Sequence, residues 1–329
     1  MPRATSPWPW VALFIIYTVW GSTYLAIRLA VHEMPPFAAA ALRFFAAGLV
    51  MAAAAVVVDR SQGRPTRRQI LDYALVGVLL LAGGNALVMW AEKSIPSGIA
   101  ALIVATVPLW MLLFDGLRPG GEPWTLRVWV GTLLGLAGVA FVARPEGGVA
   151  PGHWAGVIGL TVASLSWTIG SLYAQSIPRK LPLASAAAVE MLAGSVLLFV
   201  ESRVVGEDLG AFATASPRAW GALAYLAVFG SLIGFTAFAY CLDHLPATTV
   251  GTYAYVNPVV AVSLGALLLD EPLSKGLLIG GGLILAAVVL TTLRPRRPSA
   301  GTHAPAAPAP RAAAATNETV VPRAAVADA

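Results

Sequence analysis

Apolar residues fall along this chain in ten long runs separated by short polar breaks: 9–29, 37–58, 72–91, 97–115, 127–143, 153–173, 184–202, 219–240, 247–268 and 275–293. Each run approaches the roughly 20 apolar residues that a helix needs to cross a bilayer. A lone run can cross only as a helix, because lipid offers no partner to an exposed backbone N–H or C=O. The breaks hold residues that stop helices: Pro35-Pro36, Arg118-Pro119-Gly120-Gly121, Pro145 to Gly148, and Pro182. The pattern predicts an all-α integral membrane protein with ten transmembrane helices. After Leu293 it ends. Residues 294–329 are rich in Ala, Pro and Arg, with too few large apolar side chains to build a core, and read as a disordered tail.

Composition agrees with the pattern. Hydrophobic residues make up 58% of the chain and charged ones 11%, about half the charged share of a soluble domain. The charges sit mostly in the breaks, so the net charge of +5 speaks of orientation in a bilayer rather than of nucleic acid, and no nucleic-acid partner is expected. One set of alternate breaks holds fourteen basic residues: Arg3, Arg60, Arg64, Arg67, Arg68, Arg118, Arg127, Arg179, Lys180, Arg294, Arg296, Arg297, Arg311 and Arg323. The other holds six: Arg28, Lys93, Arg144, Arg203, Arg218 and Lys275. The bias predicts a multi-pass protein of the cell (inner or plasma) membrane with both termini cytoplasmic, which requires an even number of spans. The single cysteine, Cys241, excludes an internal disulfide, and the four histidines show no metal-ligand spacing. No metal or other cofactor is expected.

The chain also repeats itself. Trp20 and Trp167 stand 147 residues apart, as do Pro35 and Pro182; Gly84 and Gly234, Pro96 and Pro246, and Pro108 and Pro258 stand 150 apart. Glu122-Pro123 and Glu271-Pro272 differ by 149, and Leu42 to Ala46 registers with Val189 to Ala193 at 147. Such steady offsets define two five-helix repeats, 9–143 and 153–293, preceded by an N-terminal segment 1–8 expected to be cytoplasmic. Five is odd, so the second copy must enter the membrane from the opposite face. Inverted repeats of this kind give a transporter two near-equivalent states around a site at mid-membrane.

These residues resemble a known family. Trp20-Gly21-Ser22-Thr23-Tyr24, Pro35-Pro36, Leu42-Arg43-Phe44 and Ala47-Gly48, with Pro108, Glu122-Pro123, Gly131 to Gly138, Asn257-Pro258 and Glu271-Pro272, are similar to the EamA-type branch of the drug/metabolite transporter superfamily. The resemblance spans about residues 10–293. It implies ten helices, two EamA repeats, a central cavity, and transport of amino acids, metabolites or drugs.

Ionisable groups inside a span are costly and face protein or water. Arg43 and Glu190 occupy equivalent repeat positions, yet inversion places them at different depths. Each lies roughly 9 Å from its own end, leaving about 12 Å between them across the core, so a direct ion pair is not expected. Each is a candidate for gating, cargo contact or coupling; a snorkelling arginine and a carboxyl hydrogen-bonded between helices are the plainer readings. Pro108 and Pro258 fall inside spans four and nine, where proline removes a backbone hydrogen bond and kinks the helix. Span nine is polar, with Thr248, Thr249, Thr252, Tyr253, Tyr255 and Asn257, and Asn257 is the preferred cargo contact there. Trp20, Tyr24, Trp110 and Trp167 are aromatic candidates for a cavity wall, Trp90 and Tyr240 for the interfacial belt. Asn85 is a lone amide in span three, suited to cargo or to helix adhesion. Glu122 and Glu271, each before proline, read as carboxylates at the N-termini of the helices they precede. Gly131/Gly135, Gly230/Gly234 and Gly276/Gly280 permit close helix approach within the chain, and would also suit a homodimer.

The expected function is secondary transport of small organic solutes, with export favoured, by alternating access around a mid-membrane cavity. No Walker motif is present to make ATP the direct energy source. A nucleotide-sugar or sugar-phosphate carrier is the related alternative, though it calls for more basic residues than Arg43 inside the spans. An intramembrane enzyme is the alternative from another class; no catalytic residue is assigned, because no histidine or cysteine cluster lies deep enough. The expected partners are a small-molecule substrate and the lipid bilayer.

Overall fold

A computed structural model describes residues 6–59, 65–117, 125–144, 152–178, 180–245, 250 and 253–292. Glu122, Pro123, Pro246, Thr248, Thr249, Thr252, the side chain of Tyr255 and the tail fall outside the described residues. The described chain is all-α. We label its helices α1 (Trp8–Val31), α2 (Pro36–Val58), α3 (Arg67–Ala91), α4 (Ser97–Val104 and Val107–Asp115), α5 (Leu126–Val142), α6 (His153–Ser176), α7 (Leu183–Val204), α8 (Pro217–Tyr225, Leu226–Ile233 and Gly234–His244), α9 (Tyr253–Leu268) and α10 (Lys275–Thr292). Seven of them, α1 to α4 and α6 to α8, are long and apolar enough to cross a membrane; α5, α9 and α10 are shorter apolar helices. Many large apolar side chains point outward, Phe14, Leu49, Leu133, Ile158 and Val196 among them. On a soluble protein such patches would be an aggregation hazard, whereas in lipid they are the outer surface.

Local sequence explains the ends. Pro35 takes the extended conformation (φ −66°, ψ 125°) and Pro36 opens α2, so one proline stops a helix and the next starts one. Thr66 and Gln69 form a reciprocal capping box at the start of α3. In α4 the turn at Ala105-Thr106 interrupts the helix, and Pro108 sits in the first turn of its second part. Pro258 lies within α9 without ending it. The middles of α3 (Val78–Ala86) and α8 (Leu226–Ile233) are both wound as π-helix. Their starts are 148 residues apart, so the same irregularity recurs at one place in each predicted repeat.

The packing partners repeat too. α2 packs on α7, and α5 on α10. α1 packs on α9 and α8, as α6 packs on α4 and α3; α3 meets α7 as α8 meets α2. Exchanging each of the first five helices for its counterpart among the last five returns these eight pairs, while the lesser contacts of α1 with α4 and of α4 with α10 are not matched in the same way. Close backbone approach makes two of these contacts. A Cβ on Gly138 of α5 would stand 2.7 Å from the Gly280 carbonyl of α10, and one on Gly280 would stand 2.6 Å from the Gly138 carbonyl. Gly77 of α3 lies against the Glu190 backbone of α7. Gly131 and Gly135 likewise meet Thr291 and Leu109 within the chain.

Four helix N-termini are capped by carboxylates from distant sequence. Glu207, after α7, accepts from the Phe37 and Ala38 N–H groups of α2 (3.0 and 2.8 Å). Asp59, after α2, accepts from the Ser185 N–H and hydroxyl of α7 (2.9 and 2.6 Å). Glu33 accepts from Ser216 N–H and hydroxyl before α8 (2.6 and 2.7 Å). Glu271 accepts from Ser97 N–H and hydroxyl (both 2.9 Å) and from Gly98 N–H (3.3 Å) at the start of α4. Sequence spacing assigned Glu271 to the helix that follows it, α10; the carboxylate turns instead to α4.

Two outcomes are expected. Gly138→Val should force α5 from α10 and cost about 1–3 kcal/mol, read as a lower melting temperature in detergent. The Ser216 N–H and hydroxyl hold the Glu33 carboxyl below its ordinary value of 4.5. A depressed folded-state pKa stabilises above the unfolded value and is lost as pH falls through the folded one. Melting temperature should therefore drop more steeply below about pH 4 in the parent than in Glu33→Gln.

Candidate functional site

At the centre, Trp20 of α1 meets Trp167 of α6 edge to face, with ring centroids 5.9 Å apart. Phe235 (5.7 Å), Phe238 (5.1 Å) and Tyr253 (5.4 Å) surround the same indole. Glycine makes room for both tryptophans. A Cβ on Gly234 of α8 would stand 2.3 Å from Trp20 Nε1, and a Cβ on Gly84 of α3 would stand 3.2 Å from Trp167 Cε3. These are the two residue pairs that share the repeat offsets in sequence. Trp20 Nε1 donates to the Gly230 carbonyl (3.3 Å) in the π-helical turn of α8. Trp167 Nε1 is buried without a hydrogen bond of ordinary geometry, near the Tyr253 hydroxyl. The rings touch, so any cargo admitted here must part them.

Beside this cluster lies Arg43 of α2, 2% exposed. Its Nε donates to Ser231 Oγ (2.8 Å) and its Nη1 to Asn85 Oδ1 (3.2 Å), and its guanidinium lies 4.6 Å from the Phe44 ring centroid. Ser231 Oγ in turn donates to the Leu226 carbonyl (3.2 Å), five residues back. Phe44 meets Phe235 at 6.4 Å, joining the arginine to the aromatic cluster. Both partners of Arg43 are neutral, and the single ion pair among the described residues is Arg68–Asp72 on α3 (3.9 Å). A buried guanidinium without a counter-charge is costly in a membrane interior. Two neutral acceptors orient it and leave its charge uncompensated. π-Helical turns recur at functional sites because they misalign the backbone ladder, and here two of them flank the arginine.

The remaining candidates divide. Asn85, Arg43, Trp20, Trp167 and Tyr253 come together. Tyr24 is buried on α1, close enough to Glu92 to feel its charge. Asn257 is buried and, with its amide oriented by the hydrogen-bond network, donates to the Tyr17 and Tyr253 carbonyls (3.2 and 3.3 Å), tying α9 to α1. Trp110 stands apart: its Nε1 donates to Thr106 (3.1 Å), and it lines a small crevice with Leu109, Thr132 and Leu136. Glu190 is half-buried on α7, its backbone against Gly77. Sequence reasoning passed over Ser231, Phe235, Phe238 and Glu92. Ser231 had one legible signal, a hydroxyl in an otherwise apolar run between Gly230 and Gly234.

The sequence model of the EamA-like transporter family matches residues 8–144 and again 154–293. The chain is 44% identical over 286 residues to "Uncharacterized inner membrane transporter YedA" of Escherichia coli K12, covering 86% of this chain and 90% of that one. It is 26% identical over 286 residues to a Streptantibioticus cattleyicolor protein named "Probable terminal-alkyne amino-acid exporter", covering 86% and 93%. A solved crystal structure shares the fold with a TM-score of 0.61, at 24% identity over 86% of this chain and 96% of that one.

Gly234→Ala should displace the Trp20 indole and disturb the cluster while leaving the helices in place. The expected readout is altered tryptophan fluorescence at unchanged helical circular dichroism; an unchanged emission spectrum would show that the indole does not depend on Gly234.

Proposed function

The chain belongs to the EamA-like transporter family, and from that premise we propose that it carries amphipathic organic solutes bearing a carboxylate, amino acids foremost, by alternating access. It is a multi-pass transporter of the inner or plasma membrane, not an enzyme. In the proposed arrangement ten spans form two five-helix halves of inverted topology, 9–143 and 153–293. In the same arrangement segments 1–8 and 294–329 are cytoplasmic, the side that the distribution of basic residues favours. The exchange symmetry of the main helix pairs between α1–α5 and α6–α10, and the recurrence of a π-helical turn in α3 and α8, support this reading.

One observation carries the choice of cargo. Arg43 keeps a full positive charge in the core with only Ser231 and Asn85 as neutral acceptors, beside five aromatic rings. A solute with a carboxylate and an apolar side chain fits both parts: the anion meets the guanidinium, and the apolar part lies among Trp20, Trp167, Phe235, Phe238 and Tyr253. A lipophilic cation would meet the same charge as repulsion. The amino-acid export named for one relative is consistent with this cargo class. Asn257 then acts by holding α9 to α1, and Glu190 is a coupling candidate on the opposite half.

Counterflow of radiolabelled L-phenylalanine in vesicles containing the purified chain tests the proposal, with tetraphenylphosphonium as the cationic comparison. Arg43→Gln should lower phenylalanine exchange by roughly 10- to 150-fold, the loss of one charge-assisted contact of about 1.5–3 kcal/mol. Asn257→Ala should weaken it less, and Glu190→Gln should alter its dependence on a proton gradient. Exchange of tetraphenylphosphonium but not phenylalanine, or full exchange in Arg43→Gln, would overturn the cargo assignment.

A further inference from the structure

Glu92 follows the last residue of α3 and is entirely buried, and both of its carboxylate oxygens lack a hydrogen-bond partner. The surrounding groups do not compensate it. Arg28 of α1 is the nearby cation, but its Nη1 donates to the Glu92 backbone carbonyl rather than to the carboxylate. Glu271, from the turn between α9 and α10, presents a second carboxylate close enough to repel it, and that carboxylate is committed to Ser97 and Gly98. Tyr24 of α1 lies within electrostatic reach of it, and Tyr253 of α9 within reach of Tyr24. His153, the first residue of α6, is hydrogen-bonded to the Ala143 carbonyl (2.7 Å). From α2 the charged group is Arg43, held by Ser231 and Asn85. Lys93, next in sequence, is exposed.

A carboxylate with no hydrogen bond, closed off from water and facing another carboxylate, is strongly disfavoured as an anion. Burial pushes the Glu92 carboxyl well above the usual range; Arg28 opposes the shift and Glu271 adds to it. As a neutral acid the same group sits in this packing at far lower cost. The packing consists of helix ends: the last turn of α1, the end of α3, the start of α4 and the α9–α10 turn. Those are the parts that must separate for this end of the bundle to admit water.

We propose that Glu92 is a proton-binding site of this protein, taking up one proton (carboxylate plus H⁺ gives carboxylic acid) as these four helix ends pack together and releasing it when they part. Closure and protonation then favour each other reciprocally, as linkage requires. The coupling of that proton to cargo rests on the transport reading; proton binding itself does not.

Infrared titration of the full chain in phosphatidylcholine vesicles, without cargo, reads the proton directly. The parent should show protonated-carboxyl absorption at neutral pH with one component that is lost in Glu92→Gln and kept in Glu190→Gln. Glu271→Gln removes the repelling charge while leaving Glu92 in place, so the band should titrate at lower pH than in the parent. A band unchanged by Glu92→Gln, or no band in the parent, overturns the site, the second outcome pointing to an ionised Glu92 paired with Arg28. If Glu92→Gln fails to fold, the Glu271→Gln titration decides alone, and an unmoved midpoint overturns the proposal. Should the band behave as expected while phenylalanine counterflow is absent, the cargo assignment fails and the proton site stands.

Discussion

In a bilayer a helix N-terminus is the dangerous end, with free N–H groups, a positive dipole and no water to satisfy either. This chain answers with carboxylates borrowed across the molecule. α2 and α7 run together, and each start is capped by the acid that follows the other: Glu207 for α2 and Asp59 for α7. Glu33 serves the start of α8 and Glu271 that of α4. Every one of these bonds joins a residue before Arg144 to one after Gly152. Neither matched segment caps all of its own helices, so the two depend on each other even though each has its own copy of the family pattern.

That mutual dependence shows which features the sequence could reveal. Hydrophobic runs located the helices within a few residues, since transfer to lipid depends on composition over about 20 positions and needs no knowledge of neighbours. The recurrence of Trp20 as Trp167, 147 residues on, and of Gly84 as Gly234, 150 residues on, was legible for a related reason. Each indole needs a glycine opposite it, and duplication carries both members of the pair. Cap partners were not legible. Glu33, Asp59 and Glu207 looked like ordinary loop charges, and Glu271 looked like the cap of its own helix, because the acceptor's helix is chosen by tertiary packing and not by spacing. The π-turns were hidden as well. In a run apolar on every face, a period near 3.6 leaves no trace to distinguish from a wider one.

The site was partly legible on the same terms. Arg43 stood out because a charge in a span has few innocent explanations, and Trp20 and Trp167 stood out by symmetry. Asn85 and Asn257 were equally visible, yet their roles depended on which face met which helix: Asn85 turns to Arg43, while Asn257 binds α9 to α1. Trp110 shared the aromatic signature and lies elsewhere, against Thr106. Residue type announces a capacity, and packing decides whether it is used.

The two central tryptophans also differ in a way that bears on the proposed two-state cycle. Trp20 gives its N–H to the Gly230 carbonyl, while Trp167 has its N–H buried and unbonded. By the 150-residue offset of α3 and α8, the carbonyl equivalent to Gly230 is that of Leu80. Under the inverted-repeat reading, the opposite state is the one in which Trp167 finds its carbonyl and Trp20 gives its own up. The number of indole hydrogen bonds would then be conserved between states. Conservation of that kind keeps the two free energies close, and closeness is what allows a modest difference in cargo or proton binding to shift the population. Under that reading, the unequal bonding of the two indoles is what one of two equivalent arrangements would contain.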